Sequence, residues 1–455
     1  MFTTLAFILT LGILVTVHEY GHFQVARWCG VKVLKFSIGF GKPLWCKKIG
    51  RDQTEFIIAA IPLGGYVKML GEEQSADDDS QPVEDMARAL NRQSVFKRMA
   101  IVLAGPIANL LLAVILYWGL LIAGTVGIKP FVGDVAQNTP ASAGNFQSGD
   151  MIQRINGKEV VTWQDVQWVL LNESLKKEVA DIQVIDRHQL VHNRHLRVSG
   201  LHKDEVSGDI TEKLGLTIYQ PKIEARIGEI IKNSPADLSG LQTGDLVLDI
   251  NGSKVSDWLV FVHEIRMNPG RKVTILVQRE SENKRISVTL DDAEENGKSV
   301  GRLGAGLMAN QSYLDEYLVT RHYAVAEAFA KSLDKTWETS VFSLKILGNM
   351  LLGNVSWKGI SGPVTIASYA GQSASMGIKV YIGFLALVSI SIGILNLLPI
   401  PILDGGHFMY YMVEFFTGKP VSEAVINFGQ RIGLFILGWM MVLALYNDIN
   451  RLITG

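Results

Sequence analysis

Five residues constrain this chain most: His18-Glu19-Tyr20-Gly21-His22, near the end of an apolar run that begins at Phe2. An ionisable group inside a hydrophobic span costs about 2.5–3.5 kcal/mol or more on insertion scales, so three together need something to offset that cost. On a helix, His18 and His22 stack one turn apart on one face, with Glu19 about a quarter turn round. Two imidazole nitrogens can then share one zinc ion, and the adjacent carboxylate can take a proton from water on that ion. Gly21 keeps the face between the histidines low. The alternative is a pair of histidines hydrogen-bonded inside a helix bundle.

A hydrolytic zinc site takes three protein ligands and leaves a fourth position for water. The third ligand must come from elsewhere, and Asp404 is the best candidate. It sits in Asn396-Leu-Leu-Pro399-Ile-Pro401-Ile-Leu403-Asp404-Gly405-Gly406, which ends another apolar run. An aspartate there carries the same burial cost, and one shared metal answers both. His407 competes for the role and is favoured as a supporting or structural residue.

The chain has 455 residues, room for three or so domains. Only 19% are charged and mean hydropathy is positive, because a few long apolar runs flank a middle of ordinary polarity. A net charge of −1 gives no electrostatic footprint for nucleic acid. Cys29 and Cys46 lack C-x-x-C spacing and read as reduced thiols without a metal role.

Four runs, roughly 2–26, 99–126, 378–399 and 428–446, reach the length of about 20 residues that a bilayer requires. No Lys or Arg precedes the first, so it does not read as a cleaved signal peptide. Arg27, Lys32 and Lys35 after the first run, with Lys97 and Arg98 before the second, put the loop between them in the cytoplasm. Counting crossings places both termini and residues 127–377 outside. Both polar motifs then arrive at the inner ends of inbound helices, as a shared metal requires.

Between the first two runs, residues 36–68 alternate β-branched and aromatic residues with Gly and Pro, as in Thr54-Glu-Phe-Ile-Ile-Ala-Ala-Ile61 and Pro62-Leu-Gly64-Gly65-Tyr66-Val67. This predicts short strands with tight turns, a hairpin beside the metal helix whose edge could hold a peptide extended. A plain cytoplasmic loop is the alternative. Gly71 to Arg92, with Asp77-Asp78-Asp79, reads as a solvated linker with a short helix around 83–90. In the second run, Gly105-Pro106 predicts close packing and a kink, and Asn109 either bonds across helices or reaches the site.

The outer stretch repeats itself. Asn138 and Asn233, Asp150 and Asp245, Asn156-Gly157 and Asn251-Gly252, and Trp163 and Trp258 all stand at an offset of 95 (233 − 138). Each copy reads as turn, short helix, Gly-Asp turn, strand and Asn-Gly hairpin, and resembles PDZ domains of the bacterial protease type. In the second copy Ile227-Gly228-Glu229-Ile230 matches the place where that family binds a peptide carboxylate. His188, His192 and His195 stand among Arg187, Arg194 and Arg197, which argues against a cation site. Apolar residues at 329, 333, 337, 341, 344 and 347 predict an amphipathic helix resting on the membrane or on the repeats.

Taken together, the His18–His22 motif, Gly105-Pro106 with Asn109, the tandem repeats and the 396–406 motif resemble the membrane-embedded site-2 metalloproteases over essentially the whole chain. The resemblance implies a polytopic α-helical membrane protein with four transmembrane helices. Two α+β PDZ domains are inserted between helices 2 and 3, and a short membrane-associated β-hairpin follows helix 1. The expected divisions are 1–126, 127–220, 222–309, 310–377 and 378–455. It further implies one Zn²⁺ on His18, His22 and Asp404, Glu19 as general base, and Asn396, Pro399 and Pro401 handling substrate. Substrates would be single-pass membrane proteins, notably anti-sigma factors already shortened on the outer side and leftover signal peptides, with the PDZ pair excluding uncut ones. The setting would be the inner membrane of a Gram-negative bacterium. Two other classes stay open on the residues alone: an inactive PDZ scaffold and a zinc-binding transporter.

Overall fold

The computed structural model describes residues 2–72, 85–174, 179–198, 210–220, 223–295, 298–308 and 316–454. They fall into two units. One comprises Met1–Thr125 and Thr320–Gly455, the other Val126–Ser199 and Ile210–Val319.

In the first unit, α1 (Phe2–Trp28) buries Ala6, Thr10, Leu14, His18, His22 and Ala26 along one side, the three-to-four-residue spacing of a helix face. Strands β1 (Val33–Ile49) and β2 (Thr54–Met69) follow. Sequence predicts short strands; instead two long, bent strands form. Residues 35–38 of β1 pair with 55–58 of β2 on one side and with 65–68 on the other. The 65–69 segment is thus an edge, with no further strand beside it among the described residues. Phe23 of α1 clamps the sheet through Phe36 and Phe56, with ring centroids 5.5, 5.5 and 5.3 Å apart.

Two 3₁₀ turns, Asp85–Arg88 and Leu90–Arg92, stand where a short helix around 83–90 is predicted, and Asp77-Asp78-Asp79 lies outside the described residues. Arg88 forks onto both carboxylate oxygens of Asp52 at 2.7 Å each, tying this turn to the hairpin. Then α2 (Val95–Ala123) carries Pro106 in its interior. It crosses α1 closely at Gly21, where a Cβ would collide with the Ala104 carbonyl and stand 2.8 Å from Ala108 Cβ. Gly21 therefore serves helix packing rather than the space between the histidines.

The second unit holds both repeats, and they fold alike. The first has β3 (Met151–Ile155), β4 (Lys158–Glu159), α3 (Trp163–Ser174), β5 (Val179–Ile185) and β6 (Val191–Arg197), in sheet order β4-β3-β5-β6. The second has β7 (Leu246–Ile250), β8 (Ser253–Lys254), α4 (Trp258–Arg266), β9 (Lys272–Arg279) and β10 (Glu282–Thr289), in order β8-β7-β9-β10. The 95-residue offset is therefore a repeat of structure. Asn156 and Asn251 take positive φ (48° and 53°) at equivalent turns, where their side-chain oxygens accept from the N–H groups of Asp181 and Thr274. Asp150 and Asp245 are buried, and each takes an arginine, Arg194 and Arg279.

Returning to the first unit, α5 (Val325–Leu351) packs on α2 with a small, polar face of Ala328, Ser332, Thr336 and Thr339. It leaves Phe329, Leu333, Trp337 and Leu344 exposed. A helix not anticipated from sequence, α6 (Pro363–Ser375), begins where Asp448 accepts from the N–H groups of Gly362, Val364 and Thr365. After it come α7 (Ile378–Leu397), a break at Pro399 and Pro401, α8 (Asp404–Thr417) and α9 (Glu423–Thr454), the last carrying Asp448. Among the described residues, four helices are long and apolar enough to cross a membrane: Phe2–Trp28, Val95–Ala123, Ile378–Leu397 and Glu423–Arg451.

Candidate metal centre

Helix α1 supplies His18 and His22, and the first turn of α8 supplies Asp404. The carboxylate is carried to the imidazoles by a chain reversal: residues 397–401 fold back so tightly that a Cβ on Gly405 would lie 2.5 Å from the Leu397 carbonyl oxygen, and one on Gly406 2.5 Å from Pro401 Cα. Sequence places Asp404 at the end of an apolar run; the structure puts it at the start of a separate helix.

Asp404 Oδ2 stands 3.1 Å from His18 Nε2 and 3.5 Å from His22 Nε2, and the two Nε2 atoms are 3.3 Å apart. Among the described residues these three side chains form the single group of His, Cys, Asp and Glu able to hold a metal, their ligand atoms all within 4.8 Å of one another. Asp404 Oδ2 is buried yet has no hydrogen-bond partner. The α2 backbone leaves room for an ion: a Cβ on Gly105 would strike His22 Nε2 and lie 2.8 Å from His18 Nε2.

The outer nitrogens of the imidazoles face α2. His22 Nδ1 donates to the Ile101 carbonyl at 2.8 Å, and His18 Nδ1 lies 3.3 Å from the Asn109 amide nitrogen. Pro106 has no N–H to offer the carbonyl one turn before it, which loosens the helix ladder beside this carbonyl.

The three groups open into a cavity of about 340 Å³ that also takes in Glu19, the 65–67 strand edge, Arg98, His407 and Tyr411. Gly65 passes close to Glu19; a Cβ there would be 3.0 Å from Glu19 Cγ. His407, the rival ligand, lines the cavity outside the three-residue group, and burial lowers its pKa. Asn396 closes α7, half-buried, Pro399 is exposed, and Pro401 packs on α9 at Gly429 and Gly433. Of the 396–407 stretch, the cavity lining takes in Ile402, Asp404 and His407.

Sequence reading passed over one contact here. Arg98, counted only as a loop charge, forks onto Glu414 of α8 at 3.0 and 2.6 Å and lies over the Tyr411 ring at 4.9 Å, so it ties α8 to α2. A basic residue before one apolar run and an acidic one after another were the available signal.

In the second repeat, a separate cavity of about 330 Å³ lies between α4 and residues 300–306 and includes Glu229. Ile227 is fully buried, and the 227–230 strand pairs with Ala305–Leu307. His192 and His195 pair with Asp186 and Asp181 on the surface.

Residues 6–440 match the model of a family described as peptidase family M50. The chain belongs to that family. It is 38% identical over 454 residues to the regulator of sigma-E protease RseP of Escherichia coli K12, and 39% identical over 449 residues to protease RseP of Yersinia pestis, with 98% of each chain covered in both. It is 40% identical over 456 residues, all of each chain, to a Neisseria meningitidis serogroup A protein provisionally named a zinc metalloprotease. A solved PDZ domain of an SdrC-like protein from Listeria monocytogenes aligns with 22% of this chain and 97% of its own at 19% identity, with a TM-score of 0.17, too low to identify a fold.

As an M50 peptidase the chain is a zinc metalloprotease. Its donor set fits that metal. Zinc ligands at about 2.0–2.2 Å around a tetrahedron stand roughly 3.3–3.6 Å from one another. The separations here are 3.1, 3.3 and 3.5 Å.

Proposed function

We propose that this M50 peptidase is an intramembrane endopeptidase of the site-2 type. His18, His22 and Asp404 hold one zinc ion, and Glu19 is the general base. It cuts single-pass membrane proteins within or near their transmembrane segment. The convergence of three ligand atoms from the two ends of the chain, beside a carboxylate and the edge of a strand, carries this reading.

Zinc, when bound, supplies a Lewis acid that polarises the scissile carbonyl and brings the pKa of coordinated water near 7. The chain's own residues do the rest. Glu19, one position from His18 and facing the same cavity, takes a proton from the attacking water and returns it to the leaving amine. The 65–67 edge, which lines the cavity, holds a substrate strand extended, which a helical segment must become before it is cut. Asn396, Pro399 and Pro401 shape the approach to the site.

Relatives named as regulators of sigma-E protease favour an anti-sigma factor as substrate, already shortened on the outer side, with remnant signal peptides a second class. The tandem repeats act as PDZ-type filters against uncut substrates, and the 227–230 segment of the second bounds its peptide site. The chain resides in a bacterial inner membrane with both termini and the repeats periplasmic and the metal towards the cytoplasm. On this topology α5 rests at the outer membrane surface with its apolar stripe in lipid.

The test is purified full-length protein with a single-span substrate, with and without a chelator. Cleavage that chelation abolishes and zinc restores is expected. Cleavage indifferent to chelation, or no cleavage with metal carried across vesicles, overturns the proposal.

A further inference from the structure

We infer that Asn109 is a positioning residue for the metal: its side-chain oxygen holds the Nδ1–H of His18, so that His18 Nε2 is bare and aimed at the ion. The inference rests on the zinc site proposed above and adds a role for α2 that the ligand motifs do not contain.

A neutral imidazole carries one proton, and a ring that ligates through Nε2 must carry it on Nδ1. For His22 this is settled by its neighbour, because the Ile101 carbonyl, 2.8 Å from Nδ1, can only accept. His18 needs an acceptor in the same place, and what lies there is the Asn109 amide, 3.3 Å away. The two ends of a carboxamide have the same shape, so the hydrogen-bond network decides which faces the ring. With nitrogen toward His18, Asn109 Oδ1 is buried without a partner, and the ring is left with its proton on Nε2, pointing at Asp404. With oxygen toward His18, that acceptor gains a donor and the imidazole gains the tautomer a metal requires, while the amide nitrogen takes the partnerless place; the demand of the metal for a bare His18 Nε2 is what selects this orientation.

Asn109 is itself held. It is fully buried, and Ser389 of α7 donates to its backbone carbonyl at 2.7 Å. Both imidazoles are thus oriented from one helix, His22 by a backbone carbonyl and His18 by a side chain, and only the second can be changed by substitution.

The experiment measures zinc affinity of the purified full-length protein by competition with a chromophoric chelator. It compares wild type with Asn109→Leu, close in size but with no acceptor, and Asn109→Asp, which keeps one. Loss of an outer-shell partner typically weakens metal binding 10- to 100-fold. That loss is expected for Asn109→Leu, with Asn109→Asp within a few-fold of wild type and the visible bands of Co²⁺ put in place of zinc shifted only in the leucine variant. Wild-type affinity in a folded Asn109→Leu, or equal loss in both variants, overturns the inference. If Asn109→Leu does not fold, Asn109→Asp decides alone: tight binding sustains the role and a 10-fold loss removes it. A wild type that binds no zinc overturns instead the site on which the inference rests.

Discussion

Asp404 meets the imidazoles because the two residues after it have no side chains to keep the returning 397–401 chain at a distance, and the metal has room because Gly105 has none either. Space and charge therefore yield separate predictions. Gly105→Ala, which adds one methyl group against both Nε2 atoms, should strip bound zinc from a folded protein, as read by elemental analysis. Asp404→Ala should also lower zinc content, whereas His407→Ala should leave it near one per chain; the reverse pattern would move the third ligand to His407. Glu19→Gln should keep zinc and lower the cleavage rate about 10²–10⁴-fold, the usual share of a general base. The ligands were legible because a four-residue spacing fixes a helix face, and because a buried aspartate needs a partner. Of the ligands' supports, Asn109 was legible only as a residue that bonds across helices or reaches the site, and the Ile101 carbonyl not at all, since both contacts depend on how α2 is laid against α1.

At the scale of elements, the hairpin stands beside the metal helix through its aromatic clamp more than through charge. Phe36 is buried between Phe23 and Phe56. Phe36→Ala should cost about 3–5 kcal/mol locally. The expected readout is faster amide exchange along residues 65–69 and slower cleavage with zinc content unchanged. A uniform loss of protection across α1 and α2 would show instead that the clamp supports the whole unit. Sequence patterning located the strands, since alternation and Gly-Pro punctuation are local signals. It did not anticipate that residues 35–38 would be paired on both sides, because this depends on where each long strand bends. Nor did it anticipate α6, whose first turn is capped from α9 by Asp448, more than 80 residues away.

Across the whole molecule, the repeats carry an acid sensitivity that the metal site does not need. Burial would raise the Asp245 carboxyl, but the forked bonds from Arg279, both 2.7 Å, outweigh it and hold the pKa below its ordinary value. In the first repeat, the Leu190 N–H and then His192 pull Asp186 down to about 2. A carboxyl whose folded pKa is depressed stabilises fully above its unfolded value of about 3.9 and loses that contribution as pH falls through the lower folded value. Protection of β7 and β9 should therefore decline below about pH 4. Asp245→Asn should cost about 2–3 kcal/mol at neutral pH and flatten that profile. This is less than a fully buried pair would cost, because the Arg279 side chain stays 19% exposed.

Helix α5 turns serine and threonine toward its own protein and leaves phenylalanine, leucine and tryptophan outside. A detergent belt reckoned from four crossing helices will accordingly be too small. The purified particle should carry surplus surfactant along this stripe, and a water-soluble redesign would have to repaint it along with the spans.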